Sequence, residues 1–211
     1  MKSSIRHLVL GMIGSLCMVA ASSTVMAASC SYTPDEKGFK FYFTAFGAPD
    51  KSYVVSKNTF KKYQLASSTG KLEGATIDID STSLDTSADL NNGSGGQWDP
   101  SFAAVRNNNV VTGLFKTFAN PGKISAKIDK IEGDTLQLAV TMNEVTKVIP
   151  MKVTEKGGNF HAKGTLDIIK DFNGSKAFAK LERICTQAFH RGKTWTDVEI
   201  EFEVPVKKSC K

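Results

Sequence analysis

The chain has 211 residues, 27 of them basic and 21 acidic, for a formal net charge of +6 at neutral pH. This length suffices for one domain with a sizeable core. Lysines alternate with aspartates and glutamates without forming a block, which reads as a solvated surface and argues against nucleic acid as a partner.

The first element points to export. Lys2 and Arg6 precede an apolar, charge-free run from Leu8 to Ala21, and small residues follow, ending Val25-Met26-Ala27. A positive start, an apolar middle and small residues before the cut make a secretory signal. The run is also shorter than the roughly 20 residues of a membrane-spanning helix. Cleavage is expected after Ala27, with Ala28 as the alternative. Residues 28–211 then form one mature domain, expected in the periplasm. The signal carries two bases and no acid, so its removal takes the formal charge from +6 to +4.

Three cysteines follow the signal: Cys30, Cys185 and Cys210. In an oxidising compartment an odd number implies one bridge and one other fate for the third sulfur. In an up-and-down barrel the first and last strands pair, which favours Cys30–Cys210 and leaves Cys185 free on a helix. A lipidated Cys30 after Ala27-Ala28-Ser29 is the rival reading.

Beyond Cys30, alternation dominates. Phe39, Phe41 and Phe43 share one face of a strand, and Ile77 and Ile79 alternate with Thr76, Asp78 and Asp80. The same period recurs at Ile124, Ala126 and Ile128, and at Leu136, Leu138, Val140 and Met142. It continues through Val148–Val153, then at Phe160, Ala162, Gly164, Leu166 and Ile168, and last at Val198, Ile200, Phe202 and Val204. Turn residues separate these runs at Glu132-Gly133-Asp134, Asn143-Glu144 and Lys156-Gly157-Gly158-Asn159. The pattern predicts an all-β protein with one added helix, an antiparallel up-and-down meander of about eight strands closed into a β-barrel. Closure would remove the exposed edges.

Two stretches depart from it. Within Asp85–Asn109, Gly93-Ser94-Gly95-Gly96 reads as a mobile loop, and Asp99-Pro100 is placed to start a short helix through Val105. From Ser175 to His190, Ala177, Phe178, Leu181, Ile184, Cys185, Ala188 and Phe189 form an apolar stripe at helical spacing, ended by Gly192.

Several segments in order resemble the YceI family of bacterial periplasmic proteins. They are the aromatic strand Phe39–Phe46, the run Ala75-Thr76-Ile77-Asp78-Ile79-Asp80-Ser81-Thr82-Ser83-Leu84-Asp85-Thr86, and Gly113-Leu114-Phe115-Lys116. Leu138–Val148, Phe160–Phe172 and Gly192-Lys193-Thr194-Trp195-Thr196-Asp197-Val198 complete the match. The resemblance implies a lipocalin-like barrel whose cavity holds a polyprenoid or another long-chain amphiphile, and transport or storage of isoprenoid-type lipid.

An apolar chain needs a water-free channel, and each buried methylene is worth roughly 0.8 kcal/mol. The candidate lining is Phe39, Phe41, Phe43, Phe115, Phe118, Ile124, Ile128, Leu138, Val140 and Met142. The plain alternative is that these side chains fill the barrel solid, leaving an envelope interaction or stress-related protein. Arg106, Lys116 and Lys123 lie in the loop-rich region where they could meet a phosphate head, but solvated lysines are the far commoner explanation. His161 points out of a strand, and His190 closes a helix where positive charge suits the dipole. Neither has metal-ligand spacing or a nucleophile beside it, so no enzyme, metal or cofactor is expected beyond the bound polyprenoid-type lipid. Asn173 in Asp171-Phe172-Asn173-Gly174-Ser175 is a candidate glycosylation acceptor, or simply turn chemistry. The expected partners are an isoprenoid or fatty amphiphile and transient contact with envelope membranes, with a homodimer left open.

Overall fold

A computed structural model describes residues 30–186 and 189–210. The signal segment 1–27, its cleavage site and Ala188 lie outside these residues. Eleven strands form one antiparallel sheet: β1 Cys30–Pro34, β2 Lys40–Gly47, β3 Tyr53–Phe60, β4 Tyr63–Ala66, β5 Thr76–Asp80, β6 Leu84–Asp85, β7 Lys123–Glu132, β8 Thr135–Met142, β9 Val145–Lys156, β10 Asn159–Asp167 and β11 Asp197–Cys210. Two helices join them, α1 Phe102–Gly113 and α2 Ser175–Cys185.

The strands run in the order β4-β5-β7-β8-β9-β10-β11-β2-β3-β6, with β1 added to the far end of β11. The sheet curls as a half-barrel, and its ladder is an open path rather than the closed ring that the alternation predicts. Two local breaks are the physical reason. Lys61-Lys62 separates β3 from β4, and a single turn of 3-10 helix, Ser81–Ser83, separates β5 from β6. Asp80 fixes that turn by accepting from the Thr82 backbone, which competes with continued pairing. Isolated bonds tie the two breaks to each other, from Lys61 N to Ser83 O at 2.8 Å, from Lys62 N to the Ser83 hydroxyl at 3.0 Å and from Asp80 N to Lys62 O at 2.9 Å.

Where alternation is strict the strands follow it. In β8, Leu136, Leu138, Val140 and Met142 are buried while the residues between them are half-exposed. In β11 the buried Ile200, Phe202 and Val204 alternate with glutamates that meet Lys40 and Lys163 on the outer face. β1 pairs in register with the end of β11, Cys30 opposite Cys210, and the two are joined by a disulfide. Among the described residues, Cys185 on α2 is the free, buried cysteine.

The helices differ from expectation in extent. α1 starts at Phe102 and runs to Gly113, well beyond Val105. Asp99 accepts from the Ser101 backbone and hydroxyl ahead of it. α2 ends at Cys185, not His190. Its buried stripe is Ala177, Phe178, Leu181 and Cys185, while Ile184 is exposed. The two helices cross at Gly113, where a β-carbon would stand 3.0 Å from the Leu181 Cα. A larger residue there would force the pair apart.

The segment expected to be mobile, Gly93–Gly96, belongs to a hydrogen-bonded loop. A bridge joins Asn91 to Gln97. The Asn91 side chain accepts from Gly93 N, and the Asn92 side chain accepts from Ser94 N and Gly96 N. Arg191 donates to the Gly93 carbonyl.

Candidate ligand cavity

Side chains from the curled sheet and both helices enclose a cavity of about 140 Å³. That is roughly ten times what one ordered water needs, and close to the ~150 Å³ of apolar cavities that stay dry and take up a benzene-sized guest. Its walls run from Trp195 and Phe189 at the helix end to Met151 and Phe202 toward the base.

Seven of the ten residues singled out for the lining face this space: Phe41, Phe43, Phe115, Ile124, Leu138, Val140 and Met142. They come together because β2, β7 and β8 each present one apolar face and α1 leads into Phe115. Three do not reach it. Phe39 packs in the base, its ring 5.8 Å from Tyr63 and 5.7 Å from Phe202. Phe118 packs against the outer side of Phe115 at 6.0 Å. Ile128 is fully buried beside Ala75, whose carbonyl takes its N–H. The base is filled by rings: Tyr32 on Phe160 at 5.0 Å, and Phe160 stacked on Phe202 at 6.3 Å.

The roof is aromatic as well. Trp98 stacks on Phe102 at 4.8 Å and lies 5.8 Å from Phe189. Its indole N–H donates to the Tyr53 hydroxyl at 3.3 Å. The Trp195 indole donates to the Ala48 carbonyl at 2.7 Å.

A few polar residues break the apolar lining: Asn58, Thr86, Arg106, His190 and Thr194. Thr86 is paired with the Asn107 side chain and Thr194 with the Thr186 hydroxyl. Arg106 is 4% exposed, and its Nη1 donates to the Asp89 carbonyl at 2.5 Å. The Asp89 carboxylate in turn accepts from the Ser56 backbone and hydroxyl and from Asn91 N. Burial alone would raise the Asp89 carboxyl, but these hydrogen bonds and the Arg106 charge hold it below the usual range.

Of the cations considered for a head group, only Arg106 faces the cavity. Lys116 is exposed, and Lys123 borders a separate, shallow polar cleft with Lys62, Asp78 and Asp80. His190 is not a charged helix cap. It is 8% exposed, and burial pushes its imidazole down to about 4, the Phe46 backbone pulling the other way and the Arg106 charge adding to the fall. His161 is on the outer face, 3.6 Å from Glu203. Asn173 is exposed at a left-handed φ of 53° between β10 and α2.

Asn58 was not legible as a cavity residue, because strict alternation through Tyr53 and Val55 would turn Lys57 inward. Instead β3 bulges: Phe43 opposes Asn58 and Ala45 opposes Val55, with Lys57 at φ 54°. The extra residue re-aims the strand, so that Asn58 and Phe60 point in and Lys57 stays outside.

No protein-family model and no curated protein matches the chain. Among solved structures, the crystal structure of BcnA from Burkholderia cenocepacia is similar at 18% identity, covering 82% of this chain and 99% of that one with a TM-score of 0.46. A likeness of this degree does not extend to family or ligand.

Proposed function

We propose that this protein is a non-catalytic, exported carrier that holds the apolar chain of an amphiphile in the cavity beneath α1 and α2. The carrying observation is the cavity itself: an apolar space walled by phenylalanine, leucine, isoleucine, valine and methionine beside the packed core. Its volume matches about six carbons, each methylene contributing roughly 0.8 kcal/mol on entry. An isoprenoid-type lipid, which the sequence resemblance to the YceI family favours, seats one such segment here. A longer tail must displace the ring stack of Phe39, Phe160 and Phe202. Export to the periplasm draws support from the signal-like N-terminus and from the Cys30–Cys210 bridge, a bond that persists in oxidising compartments.

The test is native mass spectrometry of the protein purified from the cell envelope, followed by organic extraction. A stoichiometric chain-like species is expected. A protein that is empty, and whose thermal transition is unmoved by added alkyl and isoprenyl amphiphiles, would sink the carrier reading.

A further inference from the structure

Three buried polar atoms of cavity-lining residues have no hydrogen-bond partner among the described residues: Asn58 Oδ1, Arg106 Nη2 and His190 Nδ1. Buried polar groups are nearly always satisfied, so three orphans around one cavity point to something that satisfies them. The structural duties of these residues use their other atoms. Asn58 spans the β3 bulge through Nδ2, donating to the Val55 carbonyl at 2.7 Å and the Phe43 carbonyl at 3.2 Å. Arg106 is anchored through Nη1 to Asp89, the residue that also holds Ser56 two positions before Asn58. His190 lies against Tyr53, ring centroids 6.1 Å apart.

Geometry fixes the polarity of two of the three atoms. Both Nδ2 bonds of Asn58 go to carbonyls, so Oδ1 is an acceptor. Arg106 Nη2 is a charged donor. His190 Nδ1 donates or accepts according to its tautomer. The set therefore holds at least one donor and one acceptor. An anionic head would satisfy Arg106 but set its oxygens against the Asn58 lone pairs. It would also share the guanidinium with Asp89, whose carboxylate is already held by that charge. An acceptor-only head, such as a ketone or ether, leaves the Asn58 oxygen bare.

We propose that Asn58, Arg106 and His190 form a head-group subsite for a neutral head that accepts through oxygen and donates through O–H or N–H, as an alcohol or a primary amide does. This rests on the carrier reading and specifies the polar end of the same ligand.

The test uses the delipidated, full-length mature protein and six-carbon probes that differ only in the head: hexanol, hexanamide, hexanoate, hexyl phosphate and methyl hexyl ether, titrated at pH 7.5. Hexanol and hexanamide are expected to bind at least about tenfold more tightly than the ether or the two anions, the worth of about one buried hydrogen bond. Equal binding of alcohol and ether, or hexanoate or hexyl phosphate binding as tightly as the alcohol, overturns the subsite while leaving the carrier reading in place. Failure of every probe to bind overturns both. In Arg106→Met the advantage of hexanol over the ether should shrink several-fold. A loss of affinity shared equally by both probes would assign Arg106 a structural role only, and would overturn its place in the subsite.

Discussion

Replacing Ala126 by Leu tests the cavity without touching a polar group. Ala126 lies on β7 between Ile77 and Val140 in neighbouring strands and faces the cavity. At about 24 cal/mol per Å³, an empty space of 140 Å³ forfeits roughly 3 kcal/mol relative to a filled one. Leucine adds three carbons, worth about 2.4 kcal/mol if all are buried, from which about 1 kcal/mol of packing strain is subtracted. The ligand-free protein should therefore gain on the order of 1 kcal/mol, a rise of about 2–4 °C in Tm at this chain length. The natural protein with ligand at a hundred times Kd should gain about 2.7 kcal/mol, or roughly 5–11 °C. In Ala126→Leu that ligand-dependent rise should fall to a small fraction, because the space is already occupied. Differential scanning calorimetry with and without hexanol reads both quantities. A variant that is more stable yet keeps the full ligand-dependent rise would show that the ligand sits elsewhere, and the cavity reasoning would fail.

Three further expectations follow from the same packing. Replacing both Cys30 and Cys210 by serine removes a bridge between residues 180 positions apart and should cost about 2–4 kcal/mol, seen as a lower Tm with unchanged probe binding; an unchanged Tm would show the β1–β11 pairing to be sufficient alone. The Cys185 thiol, pushed up to about 11 by burial, should resist alkylation at pH 8 in the folded protein and react on denaturation, and rapid labelling of the native state would contradict its placement. His190 is neutral in the fold down to about 4 but takes a proton near 6.5 once unfolded. The unfolded state thus binds more protons between these values, and stability should fall as the pH drops from about 6.5 to about 4, by on the order of 3 kcal/mol in all. His190→Phe should flatten that part of the pH–stability curve, and an equally steep fall in the variant would assign the acid sensitivity to other groups.

The parts of the fold that were legible are those where a single rule governs the side chains. β5 and β8 to β11, and β7 up to its bulge after Ile128, alternate because one face is buried and the other solvated, and period 2 reveals them. β3 escaped notice because its bulge at Lys57 breaks the period where Ser56, Lys57 and Asn58 also look polar. β6 is two residues long and exists only as the partner of Thr59 and Phe60. α1 was read short because Arg106-Asn107-Asn108-Asn109 lacks an apolar stripe. Its helix depends on tertiary contact, chiefly the close approach of Gly113 to Leu181, and tertiary contact leaves no periodic trace. The closed ring expected from the meander gave way for a different, local reason: the Asp80 side chain decides a turn against the propensity on either side of it.

The candidate site divides along the same line. Its apolar wall was visible because β2 and β8 carry their lining at alternate positions, and the three misplaced residues, Phe39, Phe118 and Ile128, fail on depth rather than on face. Alternation tells which way a side chain points but not how far along the axis the floor begins. The polar end was nearly invisible because its members come from unrelated places: a bulged strand, the middle of a polar helix, and the segment after α2. Each looks like surface in sequence, Asn58 and Arg106 by type and His190 by its place after the helix. What links Asn58 and Arg106 is Asp89, which holds Ser56 beside the bulge and takes Arg106 on its carbonyl, while His190 joins them only through the cavity that all three line. On the carrier reading, the apolar wall would hold the chain by burial alone, and the three orphaned atoms would favour a head group that both donates and accepts over any anion.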